Sequence, residues 1–371
     1  MKYYIISGEA SGDLHGSNLV KAIINQDKEA NIRAWGGDKM MNAGAKVIKN
    51  YKELSFMGFY EVLINVRTIL KNLSFCKNDI KKFNPDRLIL IDYPGFNMRI
   101  AKWAKKNGLR TYYYIAPQIW AWKESRIKNI KKYIDTLYVI LPFEKKYFET
   151  KHNFPVKFLG HPLLDSIKNF KDSFKNNFFE HNNLKKTKEI ITILPGSRKQ
   201  EIKKILSTML DVVDFFPDYQ FVIGAAPNID SNFYKKFIKA KNVVIIKNQT
   251  YELLYNSKAA LVTSGTATLE ASIFKIPIIV CYKTSHISYF LAKLLVKIKF
   301  ISLVNLIMNK EVIKELIQSS CIKNNIIKEL NNILDPKKMS NIKIDYEKLI
   351  SMLGTVGTSE RIASDIINEN S

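Results

Sequence analysis

A chain of 371 residues with 46% hydrophobic and 25% charged side chains is long enough for two packed domains and too apolar to be disordered. Lys and Arg number 58 against 34 Asp and Glu, a formal charge of +24 that is spread along the chain and not gathered into one arm. Such a surface suits phosphorylated substrates or anionic lipid, although a Lys-rich solvated surface explains it equally well; no zinc-finger spacing, aromatic RNA-binding strand or basic-zipper region points to nucleic acid.

The chain opens on an apolar run at 3–7, followed at once by Gly8-Glu9-Ala10-Ser11-Gly12-Asp13 and a helical pattern over 14–24. The glycines are spaced GxxxG, not GxGxxG, and no GxxxxGK[ST] occurs, so neither a dinucleotide nor a P-loop fingerprint is present. Glu9 and Asp13 would repel a phosphate, so this loop is expected to meet hydroxyls of a sugar or acceptor. Helix capping by Ser11 or Asp13 is the competing explanation. After a strand at 32–35, the apolar and aromatic stretch 54–64, containing Met57, precedes Lys71, Lys77, Lys81 and Lys82. It is expected either to lie in a lipid headgroup layer or to form a buried helix.

A strand at 87–91 ends in Asp92, ahead of the turn Tyr93-Pro94-Gly95-Phe96-Asn97. A carboxylate at the carboxyl end of a central parallel strand stands where open α/β sheets place ligands, and partial desolvation would raise its pKa and suit it to accept a proton. A turn or cap Asp is the alternative. Strands at 111–115, 136–140 and 156–159 follow; the segment between the first two carries Trp120 and Trp122, two indoles suited to stacking on a sugar or to packing between helices. Gly160-His161-Pro162 has the composition of a hinge.

Residues 169–188, rich in Lys, Asn and Phe, separate this half from a second series of strands at 189–194, 220–224, 242–246, 259–263 and 276–281. The first of these runs into Leu194-Pro195-Gly196-Ser197-Arg198 and a helical pattern. Strand, tight turn and helix start together make an anion corner, and Arg198 adds a planar fork suited to a diphosphate. The strand at 259–263 leads into Ser264-Gly265-Thr266-Ala267-Thr268-Leu269-Glu270, whose small residues leave backbone N–H groups open for phosphate while Glu270 is placed to grip ribose hydroxyls. Residues 287–308 mix aliphatics and aromatics with Lys293, Lys297 and Lys299, and 311–371 reads mostly as helix. Cys76, Cys281 and Cys321 form no CxxC pair, and His15 and His161 form no metal-ligand spacing. No uncharged run reaches the about 18–20 residues that span a bilayer, and the amino terminus lacks a secretory pattern, so a cytoplasmic protein is expected.

β-α alternation throughout predicts an α/β protein with two Rossmann-like parallel-sheet domains. The motifs Gly8–Asp13, FMGFYEVL at 56–63, IDYPGFN at 91–97, PQIWAW at 117–122, LPFEK at 141–145, GHPLLD at 160–165, LPGSR at 194–198 and SGTATLE at 264–270 stand in one order over almost the whole chain. Together they resemble the lipid-A-disaccharide synthase family of inverting glycosyltransferases. The resemblance implies the GT-B architecture, two domains facing across a cleft, with an acceptor domain at 1–166, a UDP-sugar domain at 167–349, and a last helix at about 350–371 packing back on the first. It implies transfer from UDP-2,3-diacylglucosamine to 2,3-diacylglucosamine 1-phosphate (lipid X), giving the β-1,6 disaccharide 1-phosphate and UDP, in lipid A biosynthesis.

Carried onto this chain, the resemblance makes Asp92 the general base; Glu9 is counted with it as catalytic, and Ser11, Asp13, Met57 and Trp120 as substrate-binding. Arg198 with its helix would hold the leaving diphosphate; Ser264, Gly265, Thr266, Ala267, Glu270 and Asn305 would bind the nucleotide. The family usually has Pro where this chain has Val304. No cofactor and no metal is implied, only two lipid substrates taken from the anionic inner face of the cytoplasmic membrane, with no nucleic acid and a homodimer left open. Another UDP-sugar GT-B enzyme, such as a UDP-N-acetylglucosamine 2-epimerase, and a non-catalytic nucleotide- or RNA-binding protein are the rival expectations.

Overall fold

The computed structural model describes residues 1–53, 66–175, 177–240, 242–285, 289 and 298–369. The chain divides into two compact units, Met1–Lys168 with Leu353–Ser371, and Asn169–Met352. In the first, β1 (Lys2–Ser7), β2 (Asn31–Gly36), β3 (Lys46–Asn50), β4 (Arg87–Ile91), β5 (Thr111–Tyr114), β6 (Thr136–Val139) and β7 (Lys157–Phe158) form a parallel sheet in the order β3-β2-β1-β4-β5-β6-β7. In the second, β8 (Ile190–Leu194), β9 (Gln220–Ala225), β10 (Val243–Lys247), β11 (Ser257–Val262), β12 (Ile278–Tyr282) and β13 (Lys314–Ile317) form another, in the order β10-β9-β8-β11-β12-β13.

Helices cover both faces of each sheet, so the inner strands are apolar along their whole length; every residue of β4 and of β8 is buried. In the first unit, Leu73, Ile80, Ile100 and Ile130 pack on Tyr4, Leu88, Leu90 and Tyr113. On the opposite face Leu19, Ile23, Ile362 and Ile366 pack on Tyr3, Ile5, Ile89 and Tyr112. In the second unit Ile202, Leu206, Met209 and Leu330 cover Ile191, Ile193, Phe221 and Leu261. Among the described residues no helix is long and apolar enough to cross a membrane.

Two strands differ from the sequence expectation, and both are sheet edges. β3 (KVIKN) and β13 (KELI) are half exposed and carry Lys and Glu, so they show no continuous apolar run. The second lies in the stretch read as helix.

The Gly160-His161-Pro162 sequence works as a close-packing joint. Gly160 has φ +111°, and a Cβ there would lie 2.6 Å from Thr358 Oγ1; one on Gly354 would lie 3.2 Å from the Gly160 Cα. The His161 N–H donates to the Leu353 carbonyl at 2.9 Å. Asp165 accepts the N–H groups of Gly357, Thr358 and Ser359 at 2.7–3.2 Å, capping the helix Thr358–Asn368, whose Arg361 donates to the Leu159 carbonyl.

His15 and His161 are buried beside this joint, with Asp165 and Tyr114 near them. Desolvation lowers His15 to about 4, against the pull of Asp165, and lowers His161 to about 3, helped by repulsion from His15. Both imidazoles stay neutral in the fold but take up protons below about 6.5 when unfolded, so their contribution to stability falls as pH drops from about 6.5 towards 4. Glu144, raised to about 7 by burial, works in the opposite sense over much of that range. The histidine effect is therefore read as a difference. Denaturant unfolding of wild type and His15→Gln across pH 4–7 should show the variant losing less stability on acidification, by up to about 1.4 kcal/mol per pH unit. Parallel curves would contradict a neutral buried His15.

Candidate active site

In the first sheet the strand order reverses between β1 and β4, which pair in register with Ser7 opposite Ile91. Crevices at such reversals, outside the carboxyl ends of the strands, are where open α/β sheets bind ligands. The Gly8–Asp13 loop leaves β1 there and Asp92–Asn97 leaves β4. Asp92 and Tyr93 adopt φ +46° and +49°, two successive left-handed residues without glycine, ahead of Pro94 at the start of the helix Pro94–Lys106. Each such residue costs on the order of 1 kcal/mol or more and persists only where its surroundings hold it.

Those surroundings are identifiable. The Asp92 N–H donates to the Tyr114 carbonyl at 2.9 Å, while the Asp92 carbonyl accepts from the Tyr113 hydroxyl at 2.6 Å and the buried Asn97 amide at 2.8 Å. With the backbone so fixed, the half-buried carboxylate is presented at the strand end. Burial raises its pKa, opposed by a hydrogen bond from the Tyr93 N–H. The Tyr93 ring lies against Gly8, where a Cβ would come within 2.4 Å of it, and stacks on Phe96. Burial raises the Tyr93 phenol, and the nearby Glu9 charge adds to the shift. Gly8, Glu9, Tyr93 and Asp92 are thus gathered at one place.

Other members of the expected set are placed differently. Ser11 is exposed on the first turn of the helix Ala10–Gln26. Asp13 is buried, and its carboxylate accepts the N–H groups of Gly37 at 2.7 Å, Lys39 at 3.2 Å and Met40 at 3.1 Å. It caps the neighbouring helix Asp38–Asn42, and its assignment to substrate rests on the sequence reading alone. Gly12, likewise, sits against Ser7 to bring helix and sheet together. Trp120 donates its indole N–H to Glu144 at 2.9 Å and packs edge-on against Phe143. Glu144, absent from the expected set, also accepts the N–H groups of Ile140 and Leu141. A Pro followed two residues later by Glu at a helix start was the available signal. Met57 lies outside the described residues.

The second sheet repeats the arrangement. Its order reverses between β8 and β11, where Leu194 stands opposite Val262 and accepts the Thr263 N–H at 2.9 Å. Pro195–Arg198 leaves β8 and Ser264–Glu270 leaves β11. Gly196 has φ +109°, and Arg198, extended, precedes the helix Lys199–Leu210 with its side chain 60% exposed. Gly265 has φ +122° with open space where a Cβ would be, so a ligand has room to approach the backbone. Thr266 is exposed and Ala267 half buried at the start of the helix Thr266–Ile273. The Ser264 hydroxyl donates to the Ile301 carbonyl at 2.9 Å. Glu270, partly buried with its pKa raised by burial, accepts the Tyr251 hydroxyl at 3.2 Å.

Asn305 is fully buried, and both ends of its amide are occupied. It donates to the Ile313 carbonyl and Glu315 and accepts the N–H groups of Val312 and Ile313. It fastens the loop after residue 300 to β13, and its assignment to the nucleotide rests on the resemblance alone. Glu315 shares that task, accepting the N–H groups of Ile301 and Ser302 and the Ser302 hydroxyl. Sequence reasoning missed Glu315 because it lies on the unrecognised edge strand. Among the described residues no cluster of three or more His, Cys, Asp or Glu is arranged to hold a metal ion.

Comparison with known proteins gives a consistent result. The sequence model of one family, described as Lipid-A-disaccharide synthetase, matches residues 3–365. A lipid-A-disaccharide synthase of Syntrophus aciditrophicus is 35% identical over 367 residues, covering 97% of this chain and 95% of its own. Another, from Persephonella marina, is 36% identical over 385 residues, covering 99% and 98%. Among solved structures, the S. aureus MnaA–UDP co-structure superposes with a TM-score of 0.73 at 15% identity, over 98% of this chain and 95% of that one. A putative UDP-N-acetylglucosamine 2-epimerase from Listeria monocytogenes gives a TM-score of 0.73 at 13% identity, over 100% and 97%. At these identities the structural likeness establishes the fold, two parallel α/β sheets of the GT-B kind.

Proposed function

The chain belongs to the lipid-A-disaccharide synthase family, and from that premise we propose that it joins UDP-2,3-diacylglucosamine to 2,3-diacylglucosamine 1-phosphate with inversion, releasing UDP. The observation that carries the proposal is that each sheet presents two loops of the family's motifs at its own strand-order reversal. The first pair takes the acceptor and the second the nucleotide. Asp92 accepts the proton of the acceptor 6-hydroxyl as that oxygen attacks the anomeric carbon. The bond from that carbon to the diphosphate oxygen breaks, and UDP departs with the electron pair. Glu9, beside Tyr93, orients acceptor hydroxyls. Arg198 and the N–H groups that begin the helices Lys199–Leu210 and Thr266–Ile273 stabilise the charge gathering on the leaving diphosphate. Glu270 holds the ribose. No metal is invoked, since fixed dipoles and a guanidinium supply the positive charge.

Both substrates carry acyl chains and phosphate, and a protein of charge +24 is suited to take them from an anionic membrane face as a peripheral enzyme. The apolar stretch 54–64 offered for that contact lies outside the described residues, apart from its approach at Tyr51–Glu53.

The test supplies UDP-2,3-diacylglucosamine with and without the acceptor, in the presence of EDTA. Disaccharide 1-phosphate and UDP should appear only when the acceptor is present. Acceptor-independent conversion of the sugar nucleotide would favour an epimerase. Activity lost in EDTA and restored by magnesium would contradict the metal-free mechanism.

A further inference from the structure

The anion corner of the second unit already holds a carboxylate. Gly196 has φ +109°, and a Cβ there would meet Glu201 Oε2 at 2.7 Å and Glu201 Cβ at 3.2 Å, so the Glu201 side chain lies across the turn. Its Oε2 accepts the Ser197 N–H at 3.3 Å, and its Oε1 stands 3.6 Å from a terminal nitrogen of Arg198. A backbone N–H ahead of a helix and a guanidinium are the donors that a diphosphate would use. A glutamate three residues into a helix commonly reaches back to cap it. Capping accounts for the Ser197 contact but does not require the same carboxylate to meet Arg198 as well.

We infer that Glu201 is an internal competitor for the diphosphate: it occupies the Pro195–Arg198 corner between turnovers, yields to the incoming nucleotide, and returns as UDP leaves. This role presupposes the nucleotide site proposed above. The competitor is weakly held. Arg198 is 60% and Glu201 33% exposed, the pair is separated by 3.6 Å, and exposed ion pairs of this kind contribute little. A diphosphate brings more charge and shorter charge-assisted bonds to the same donors, so it wins the exchange. It cannot share the corner with a second anion without repulsion. Glu201 therefore lowers nucleotide affinity while keeping the turn and Arg198 ordered, and it speeds release of the product.

The test is calorimetric titration of UDP and of uridine into wild type, Glu201→Gln and Glu201→Ala, with UDP product inhibition measured in parallel. Glutamine keeps the shape and a capping oxygen but removes the charge; alanine removes both. Both variants should bind UDP about three- to tenfold more tightly and suffer correspondingly stronger product inhibition, while uridine, lacking the diphosphate, binds all three proteins alike. UDP affinity unchanged or lowered in Glu201→Gln would overturn the inference and make Glu201 a structural cap. Equal tightening for uridine would overturn it as well, because the effect would not then act through the diphosphate. Wild type that fails to bind UDP at all would instead overturn the nucleotide site itself, a result separable from both.

Discussion

Asp92→Asn should lower the rate of disaccharide formation by about two to four orders of magnitude while leaving UDP affinity within about twofold of wild type. Asparagine is the informative substitution because the site itself is conformationally demanding. Position 92 has φ +46°, a region that Asn tolerates and Ala does not, so Asn keeps the backbone bonds to Tyr113, Tyr114 and Asn97 while removing the basic carboxylate. Alanine would add strain to the chemical loss. The pH dependence follows from the environment. Burial raises the Asp92 pKa above the ordinary carboxylate value of 3.8. The base works only when ionised, so the rate should climb with pH through that raised value, and the acid limb should vanish from the residual activity of Asp92→Asn. A variant retaining more than about a tenth of wild-type turnover would remove Asp92 from the role of base.

Arg198→Ala should weaken UDP binding by about 10- to 150-fold, the equivalent of a charge-assisted contact worth about 1.5–3 kcal/mol. Transfer should slow further, since charge on the diphosphate grows as the glycosidic bond breaks. Folding should be little affected, since the side chain is 60% exposed. Arg198→Lys separates charge from geometry, because lysine keeps the charge without the fork. It should recover only part of the affinity. Calorimetry of UDP binding with a thermal melt of each variant checks this. An unaltered UDP affinity in Arg198→Ala would move the diphosphate elsewhere.

Much of the architecture was legible because inner parallel strands are apolar on both faces. Runs such as Leu88–Ile91 and Ile190–Leu194 announce themselves, and the residues after them mark the loops. Edge strands carry no such signal. β3 and β13 need only one apolar face: no residue of β3 is fully buried, and β13 buries only Leu316. Within the loops, sequence identified which residues stand together but not what each side chain touches. Asp13 and Glu9 are four residues apart in one motif. Yet Asp13 is committed to the N–H groups of Gly37, Lys39 and Met40, while Glu9 stays beside Tyr93. Asn305 matches a polar position of the family's nucleotide site, and nothing in the sequence shows that its amide is saturated by the chain segment 312–315. The left-handed pair Asp92–Tyr93 has no signature in residue type, since its cause is the packing of Tyr93 over Gly8 and the hydrogen bonds to the Asp92 backbone. Glu144 and Glu315 do not stand out in the sequence, because a single carboxylate acquires meaning only from the N–H groups that converge on it.

The most direct test of the central claim, that the loops after β8 and β11 form the nucleotide site, is a crystal structure with UDP bound. The account predicts the diphosphate within hydrogen-bond distance of Arg198 and of the N–H groups opening the helices Lys199–Leu210 and Thr266–Ile273, with Glu270 on the ribose and the Glu201 carboxylate displaced from the Ser197 N–H. UDP seated instead on the loops after β1 and β4, or bound without contact to Arg198, would contradict it.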